Sequence, residues 1–243
     1  MTSILWMGWA GFCLMTAPAF SQTASQRVFA MMLSRLSEND SLLQKLTFSY
    51  QLHLRGTFYH KNDSARVREE WRVVHDKDSI RVQLLSYRSD GKAEIVKKYE
   101  CPVKIKPAKR TEKRPGEDPI MTIVWELLDR ISRDNKAFLL IDGQAMGKDG
   151  RSKHIVRFLT SDRSGSLLID MQTAVLERLE WTFGKSLGVV SSGQTSMIEL
   201  APVIEDLRFP SRLIFNERAR ALLRRSGSYT EIDIRNFQRE EMQ

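Results

Sequence analysis

The chain has 243 residues, of which 42% are hydrophobic and 28% charged, and its formal net charge is +8. A chain of this length can bury one sizeable core, and its many charged residues exclude both a helical membrane bundle and a disordered polymer. The excess of positive charge indicates an anionic partner.

The first residues have the composition of a signal peptide. Residues 1–22 contain no Lys, Arg, Asp or Glu, and the apolar run 4–15 is shorter than the roughly 20 residues that a membrane span needs. Ala19, Phe20 and Ser21 then fit a small-x-small cleavage pattern. We therefore predict that residues 1–21 are removed and that 22–243 form a single periplasmic domain. A buried N-terminal helix is the alternative.

Export determines how the charge and the cysteines are interpreted. The leader carries no charged side chain, so the positive excess belongs to the mature protein. The anionic partners of an exported protein are lipid headgroups, and we expect no nucleic acid. Cys101 would be the one cysteine left after removal of Cys13, so no internal disulfide is predicted.

Residues 46–58 show the clearest strand pattern in the chain. Even-numbered positions from Leu46 to Phe58 are apolar or glycine, and odd-numbered positions are polar. Because side chains alternate between the two faces of a strand, the pattern predicts one buried, apolar face (the dry face) and one solvent-exposed face. Shorter stretches predict further strands near 67–73, 80–84, 137–142, 153–160, 166–171, 175–183, 195–200, 211–216 and 228–237.

Two segments have helical spacing. Residues 25–37 have an amphipathic stripe, and 118–132 begin with Asp118 as a cap and Pro119 in the first turn. The second helix is apolar over more than half of its surface, so it must be largely enclosed. The segment 97–115 between them is rich in Lys, Arg and Pro and is expected to be a basic loop.

About ten or eleven short strands with two helices predict a mainly β fold, either a barrel or a strongly curved antiparallel sheet. The order of parts resembles the periplasmic lipoprotein-carrier superfamily, the LolA/LolB/RseB-like group. The runs that carry the resemblance are Phe138-Leu139-Leu140-Ile141-Asp142-Gly143, Lys148-Asp149-Gly150-Arg151, Ile155-Val156-Arg157-Phe158, Gly165 to Asp170, Ala174 to Glu180, Phe209-Pro210-Ser211-Arg212 and Tyr229 to Phe237.

The resemblance implies a strongly curved, incompletely closed antiparallel barrel of about 10–11 strands with helices in its concavity. It also implies an apolar space between sheet and helices that takes acyl chains. It does not separate a carrier from a regulator of the same fold. Bulky Phe12 before Cys13 does not fit a lipid-anchor motif, which argues against an anchored receptor.

No enzyme class gains support from the sequence. His53, His60, His75 and His154 show no metal-ligand spacing and are expected at the surface. Adjacent carboxylates such as Glu69 and Glu70 point to opposite faces of a strand, and no G-x-S-x-G motif occurs. We therefore expect no catalytic residue, metal or cofactor.

The sequence predicts a periplasmic binding or carrier protein that holds the acyl chains of a lipid or lipidated protein between sheet and helices. A regulatory protein-interaction domain without transport is the alternative from another functional class, and a hydrolase with an unrecognised site is a third. The predicted cavity wall comprises Leu52, Leu54, Trp71, Val73, Leu84, Ile123, Trp125, Leu127 and Trp181. Predicted contacts to headgroups, an anionic membrane surface or an acidic partner are Lys104, Lys106, Lys109 and Arg110.

Overall fold

The computed structural model describes residues 10–61, 63–76, 79–92, 118–147, 149–187, 190–221 and 224–240, with side chains from Ala24 onward except at 185–187, 190, 221 and 224. Its two helices are α1 (Ala10–Leu43) and α2 (Pro119–Arg133). Its strands are β1 (Phe48–His60), β2 (Asp63–Asp76), β3 (Ser79–Gly91), β4 (Phe138–Met146), β5 (Ser152–Leu159), β6 (Arg163–Asp170), β7 (Leu176–Leu187), β8 (Val190–Ile204), β9 (Leu207–Ala221) and β10 (Arg224–Arg239).

All ten strands form one antiparallel sheet in the order β3-β2-β1-β10-β9-β8-β7-β6-β5-β4. The first and last strands of the chain's β region meet inside the sheet, because β1 pairs with both β2 and β10. The predicted mainly β fold with two helices is confirmed. The sheet stays open between β3 and β4 and is not strongly curled, so it curves less than the resemblance implied.

The alternation predicted for residues 46–58 is confirmed in β1. Leu52 and Leu54 are buried in the core, and Arg55 is exposed. Ser49 is an exception on the outer face, since it is buried and its hydroxyl donates to the Glu240 carboxylate at 2.6 Å. The dry face of β1 therefore fixes which side of the sheet the helices cover.

Helix α2 lies across that face, as its broad apolar surface requires. The Asp118 side chain accepts hydrogen bonds from the backbone N–H groups of Ile120 and Met121, which confirms its role as the cap. At the other end, the Asp134 carboxylate accepts from the backbone N–H of Ser161 at 2.7 Å. The buried side chains are Ile120, Met121, Val124, Leu127, Leu128 and Ile131.

Helix α1 covers the same face nearer the other edge. The Ser25 hydroxyl accepts from the backbone N–H of Ile141 in β4, and the Asn39 amide exchanges two hydrogen bonds with the backbone of Arg208 in β9. The amphipathic stretch predicted at 25–37 lies inside this helix. None of the helices in the described ranges is both long and apolar enough to cross a membrane. The signal peptide stays a prediction.

The surface position expected for His75 is wrong. Its side chain is 2% exposed, and its ring stacks on Phe48 with centroids 4.7 Å apart. His75 continues the alternation of Trp71 and Val73, so it points to the same face of β2 as they do. An imidazole has enough apolar ring surface to take that place beside an aromatic residue.

Candidate functional site

One end of the helix-bearing face holds a cavity of about 820 Å³, which we call the end cavity. This volume lies within the range of sites for small molecules. Its described lining comes entirely from strands, the β1–β2 turn and Lys92. The lining residues are Phe58, Tyr59, His60, Lys61, Asp63, Lys92, Phe183, Ser192, Gly193, Gln194, Glu217, Arg218, Ala219, Ser226, Gly227 and Ser228.

A single row of paired residues forms the floor of the end cavity. In register across β1, β10, β9, β8 and β7, this row is Phe58, Ser228, Glu217, Gln194 and Phe183. Directly paired residues share a face, and Phe58 shares the face of Leu54 and the core. The floor therefore continues the core face beyond the area covered by the helices.

The floor is apolar at both ends and polar in the middle. Phe58 is 6% exposed, and Phe183 is half-buried beneath the Arg163 guanidinium, which lies 5.8 Å from its ring centre. Between them, the Ser228 hydroxyl lies 3.4 Å from a Glu217 carboxylate oxygen. Such a surface can bind an apolar segment at the aromatic residues and a polar group in the middle.

Aromatic packing continues from this floor into the core. Trp181 lies two residues before Phe183 on the same face of β7 and is buried. Its ring meets Phe215 edge-on, with centroids 6.4 Å apart. Gly165, opposite Trp181, has no room for a Cβ because the Phe158 ring and the Glu180 carbonyl lie too close. Closely packed core residues therefore adjoin the Phe183 end of the floor.

Cations stand at the mouth of the end cavity. Lys92 forms an ion pair with Asp63 at 2.8 Å, and both side chains are substantially exposed. Lys61 is exposed in the β1–β2 turn, where its φ of 58° is left-handed. Arg218 on β9 is exposed too, but it follows Glu217 and so lies on the outer face of the sheet. Lys92 already has a carboxylate partner, whereas Lys61 forms no ion pair with any described residue. Lys61 can therefore meet an anionic or zwitterionic end group while the floor holds an apolar part.

The structure places most of the predicted wall residues in the packed core. Leu52, Leu54, Trp71, Val73, Leu127 and Trp181 are buried in it, and Ile123 and Trp125 pack against it half-buried. Leu84 is 44% exposed on the edge strand β3. The lining of the end cavity contains none of these nine residues. Lys104, Lys106, Lys109 and Arg110 lie outside the described residues.

A smaller cavity of about 390 Å³ lies under the last turns of α1. Leucines from α1, β7, β8 and β9 line it together with Arg35, Arg151 and Arg208. Arg35 forms an ion pair with Glu38 at 2.7 Å, and Arg208 forms one with Glu177 at 3.4 Å. Because these guanidinium groups already have carboxylate partners, this cavity is a weaker anion site than its arginines imply.

Sequence reasoning missed a buried charge cluster between β5, β6 and β7. The Lys153 ammonium lies 2.9 Å from Asp149, 2.8 Å from Asp170 and 2.7 Å from Glu177. These three carboxylates lie close enough together to hold a metal ion, but the lysine already supplies the cation. A single lysine in a strand gives no signal in the sequence, because only strand pairing reveals its partners.

Charge pairing within this lysine cluster shifts both pKa values away from neutrality. Burial alone would lower the pKa of Lys153, but hydrogen bonds to the three carboxylates raise it above its ordinary value. Burial alone would raise the pKa of Asp170, but the Lys153 ammonium and the N–H and hydroxyl groups of Thr173 lower it well below the usual range. Lys153 and Asp170 are therefore both ionised at neutral pH.

A second buried polar contact joins β1 to the start of α2. The Tyr50 hydroxyl donates to Asp118 at 2.6 Å. Burial raises the pKa of Tyr50, and the Asp118 charge raises it further. Burial also raises the pKa of Asp118, although bonds from Tyr50 and the helix N–H groups oppose this effect. These residues fix the position of α2 on the sheet.

No family model and no curated protein matches the chain. It is similar to the solved structure of a DUF1329 family protein from Desulfovibrio piger, with 11% identity over 89% of this chain and 93% of that chain and a TM-score of 0.33. It is also similar to a putative outer membrane lipoprotein-sorting protein domain from Vibrio parahaemolyticus, with 7% identity over 86% and 92% of the two chains and a TM-score of 0.34.

The Pseudomonas aeruginosa MucA/MucB complex is a further neighbour, with 9% identity over 89% of this chain and 100% of that chain and a TM-score of 0.24. At such identities and TM-scores, the likeness does not transfer a ligand or a partner to this chain.

Proposed function

We propose that this protein is an exported, non-enzymatic carrier that holds an acyl chain of a lipid or lipidated protein in the end cavity. The observation that carries the proposal is the floor of the end cavity, whose two ends are Phe58 and Phe183. It continues the core face of the sheet, yet borders about 820 Å³ of space that neither described helix fills.

The size and chemistry of the end cavity fit a chain with a polar end. Each buried methylene contributes about 0.8 kcal/mol, so about ten of them contribute about 8 kcal/mol, which corresponds to micromolar affinity before the cost of ordering the ligand. Lys61 at the mouth is placed to meet a phosphate or carboxylate end group, while Lys92 is paired with Asp63. The acyl part would lie against the two phenylalanines.

The proposed location fits the packing of the protein. The core between sheet and helices is filled, since Leu52, Leu54 and Trp181 are all at most 5% exposed. A ligand there would have to displace well-packed side chains, which costs several kcal/mol. The end cavity offers space without that cost. Exchange at a membrane surface would be favoured by the net charge of +8.

A matched pair of tryptophan substitutions tests the proposal. Ser228→Trp places an indole in the middle of the cavity floor, while Ser191→Trp places one on the exposed outer face of β8. We expect Ser228→Trp to lower affinity for a fluorescent palmitate analogue at least about tenfold, a change of about 1.4 kcal/mol. Ser191→Trp should leave the affinity unchanged.

Thermal melting of both variants verifies that each remains folded. Equal affinities in the wild type and folded Ser228→Trp would exclude the end cavity as the binding site. Absence of saturable palmitate binding to the wild type would exclude the carrier function.

A further inference from the structure

Strand β3 lies at one edge of the sheet that the described strands form. Among the described residues, Ser79–Gly91 pairs only with β2, so the backbone groups along its other side have no strand partner. Natural proteins usually protect an edge strand by making it short, twisting it away or covering it. A run of 13 residues offers many backbone donors and acceptors to an extended chain.

Apolar side chains are exposed along this edge. Leu84, Leu85 and Tyr87 are 44%, 45% and 49% exposed. Leu84 pairs with Trp71, and Tyr87 pairs with Glu69, so both lie on the helix-bearing face. A bulge at Glu70/Trp71 accommodates Leu85 as an extra residue. The edge thus offers an apolar strip on the face that leads into the core.

The opposite face of the same edge carries a row of arginines. Arg55, Arg68 and Arg88 stand directly opposite one another across β1, β2 and β3. Like charges directly opposite in a sheet are destabilising. Arg55 is neutralised by Asp233 at 2.6 Å, whereas Arg68 and Arg88 are exposed and have no ion pair with any described residue. Arg68 and Arg88 therefore leave an excess of positive charge at the β3 end of this row.

We propose that β3 is the docking edge for an extended segment of a partner protein in which apolar and acidic residues alternate. Added as a further strand that leaves Leu85 unpaired, as β2 does, the segment would set acidic side chains beside Arg88 and apolar ones beside Leu84 and Tyr87. A second copy of this chain fits poorly, since its own Arg88-bearing strand would bring like charges together. The inference is independent of the end cavity.

The test uses the peptide Glu-Val-Glu-Leu-Glu-Val-Glu-amide, labelled with fluorescein at its N-terminus, with the full-length protein. Binding is followed by fluorescence anisotropy and amide hydrogen exchange. We expect saturable binding and slower exchange of β3 amides. Arg88→Glu should weaken binding about tenfold, which corresponds to about 1.4 kcal/mol. The control Arg220→Glu makes the same charge change at an exposed arginine on the interior strand β9 and should alter affinity less than about twofold.

Two N-methylated versions of the peptide separate strand addition from charge attraction. Methyl groups on the alternate amides that face β3 should abolish binding, while methyl groups on the other set should be tolerated, although side chains and charge are identical. Ser228→Trp should bind the peptide like wild type, so that loss of the carrier function and loss of this inference remain distinguishable.

Equal loss in Arg88→Glu and Arg220→Glu would overturn the proposal, because binding would then follow net charge alone. Equal affinity of the two N-methylated peptides would overturn strand addition. Absence of peptide binding would show that the arginines only guard the edge. Arg88-dependent binding of phosphatidylglycerol vesicles without peptide binding would assign the surface to a membrane and overturn the protein partner.

Discussion

The Lys153 ammonium lies 2.8 Å from the carboxylate of Asp170, its direct cross-strand partner, and both side chains are at most 2% exposed. Glu177 on β7 also contacts the ammonium, as does Asp149 from the β4–β5 loop. One buried cation therefore links strands β5, β6 and β7 and the β4–β5 loop. Removing one partner of such a cluster leaves uncompensated buried charge.

Lys153→Met should lower the free energy of unfolding by about 3–5 kcal/mol, because it leaves the buried Asp170 carboxylate without its cation. The exposed Lys136→Met serves as the control and should change stability by less than about 0.5 kcal/mol. Chemical denaturation with circular dichroism measures both. Stability of Lys153→Met within about 1 kcal/mol of wild type would contradict the cluster's structural role.

The same cluster predicts a pH dependence with a defined sign. The lowered pKa of Asp170 gives stabilisation that is present above about pH 4, the unfolded value, and is lost as the pH falls towards the folded one. The raised pKa of Lys153 gives stabilisation that is present below about pH 10.4 and is lost as the pH rises beyond it.

The difference in unfolding free energy between wild type and Lys153→Met should therefore be largest between these limits and shrink below about pH 4. Denaturation curves collected across the pH range measure this difference. A difference that stays constant in acid would show that packing, and not ionisation, causes the loss.

The stability contribution of Asp118 should change with pH in the opposite direction from that of Asp170. Its raised pKa means that burial penalises the charged form, so wild type should gain stability as the pH falls from the folded pKa towards about 3.9. Asp118→Asn keeps a capping side chain and should lack this gain, whereas Asp118→Ala should cost about 0.5–2 kcal/mol by removing the cap. Equal stability of the Asn and Ala variants at neutral pH would rule out capping as the role of Asp118.

A neighbouring pair in β1 tests the two faces of the sheet. Leu52 is fully buried, while Gln51 lies half-buried on the outer face, where its side-chain oxygen accepts from Asn236 at 2.8 Å. Leu52→Asp should unfold the protein, since an unpaired buried charge costs more than the roughly 2–5 kcal/mol of truncation to alanine. Gln51→Asp should be nearly silent. Equal damage by thermal melting would mean that both faces are covered.

Trp125 separates the packed core from the end cavity. Its indole is half-buried between the helices and donates to Asp40 at 3.2 Å. Trp125→Ala should therefore lower the melting temperature through lost packing, while the affinity for a palmitate probe stays unchanged. A folded variant that loses probe binding would move the ligand site to the helices.

Local patterns in the sequence were enough to predict the strands, α2 and the stretch 25–37 of α1, but not the full extent Ala10–Leu43 of that helix. The alternation in β1 and the Asp118-Pro119 start of α2 depend on side chains close in sequence, so the structure reproduces them. The partners of Lys153 and the place of Phe183 opposite Gln194 depend on pairing between distant segments. No local pattern specifies that pairing, which is why the predicted wall residues fall mainly in the core.

Photocrosslinking with a diazirine-labelled fatty acid tests the carrier proposal most directly. Peptide mapping should place the adducts on β1 near Phe58 and on β7 near Phe183, and unlabelled palmitate should compete them away. Ser228→Trp should lose these adducts and Ser191→Trp should keep them. Adducts spread over the surface without competition, or competed adducts confined to α2 around Trp125, would contradict binding in the end cavity.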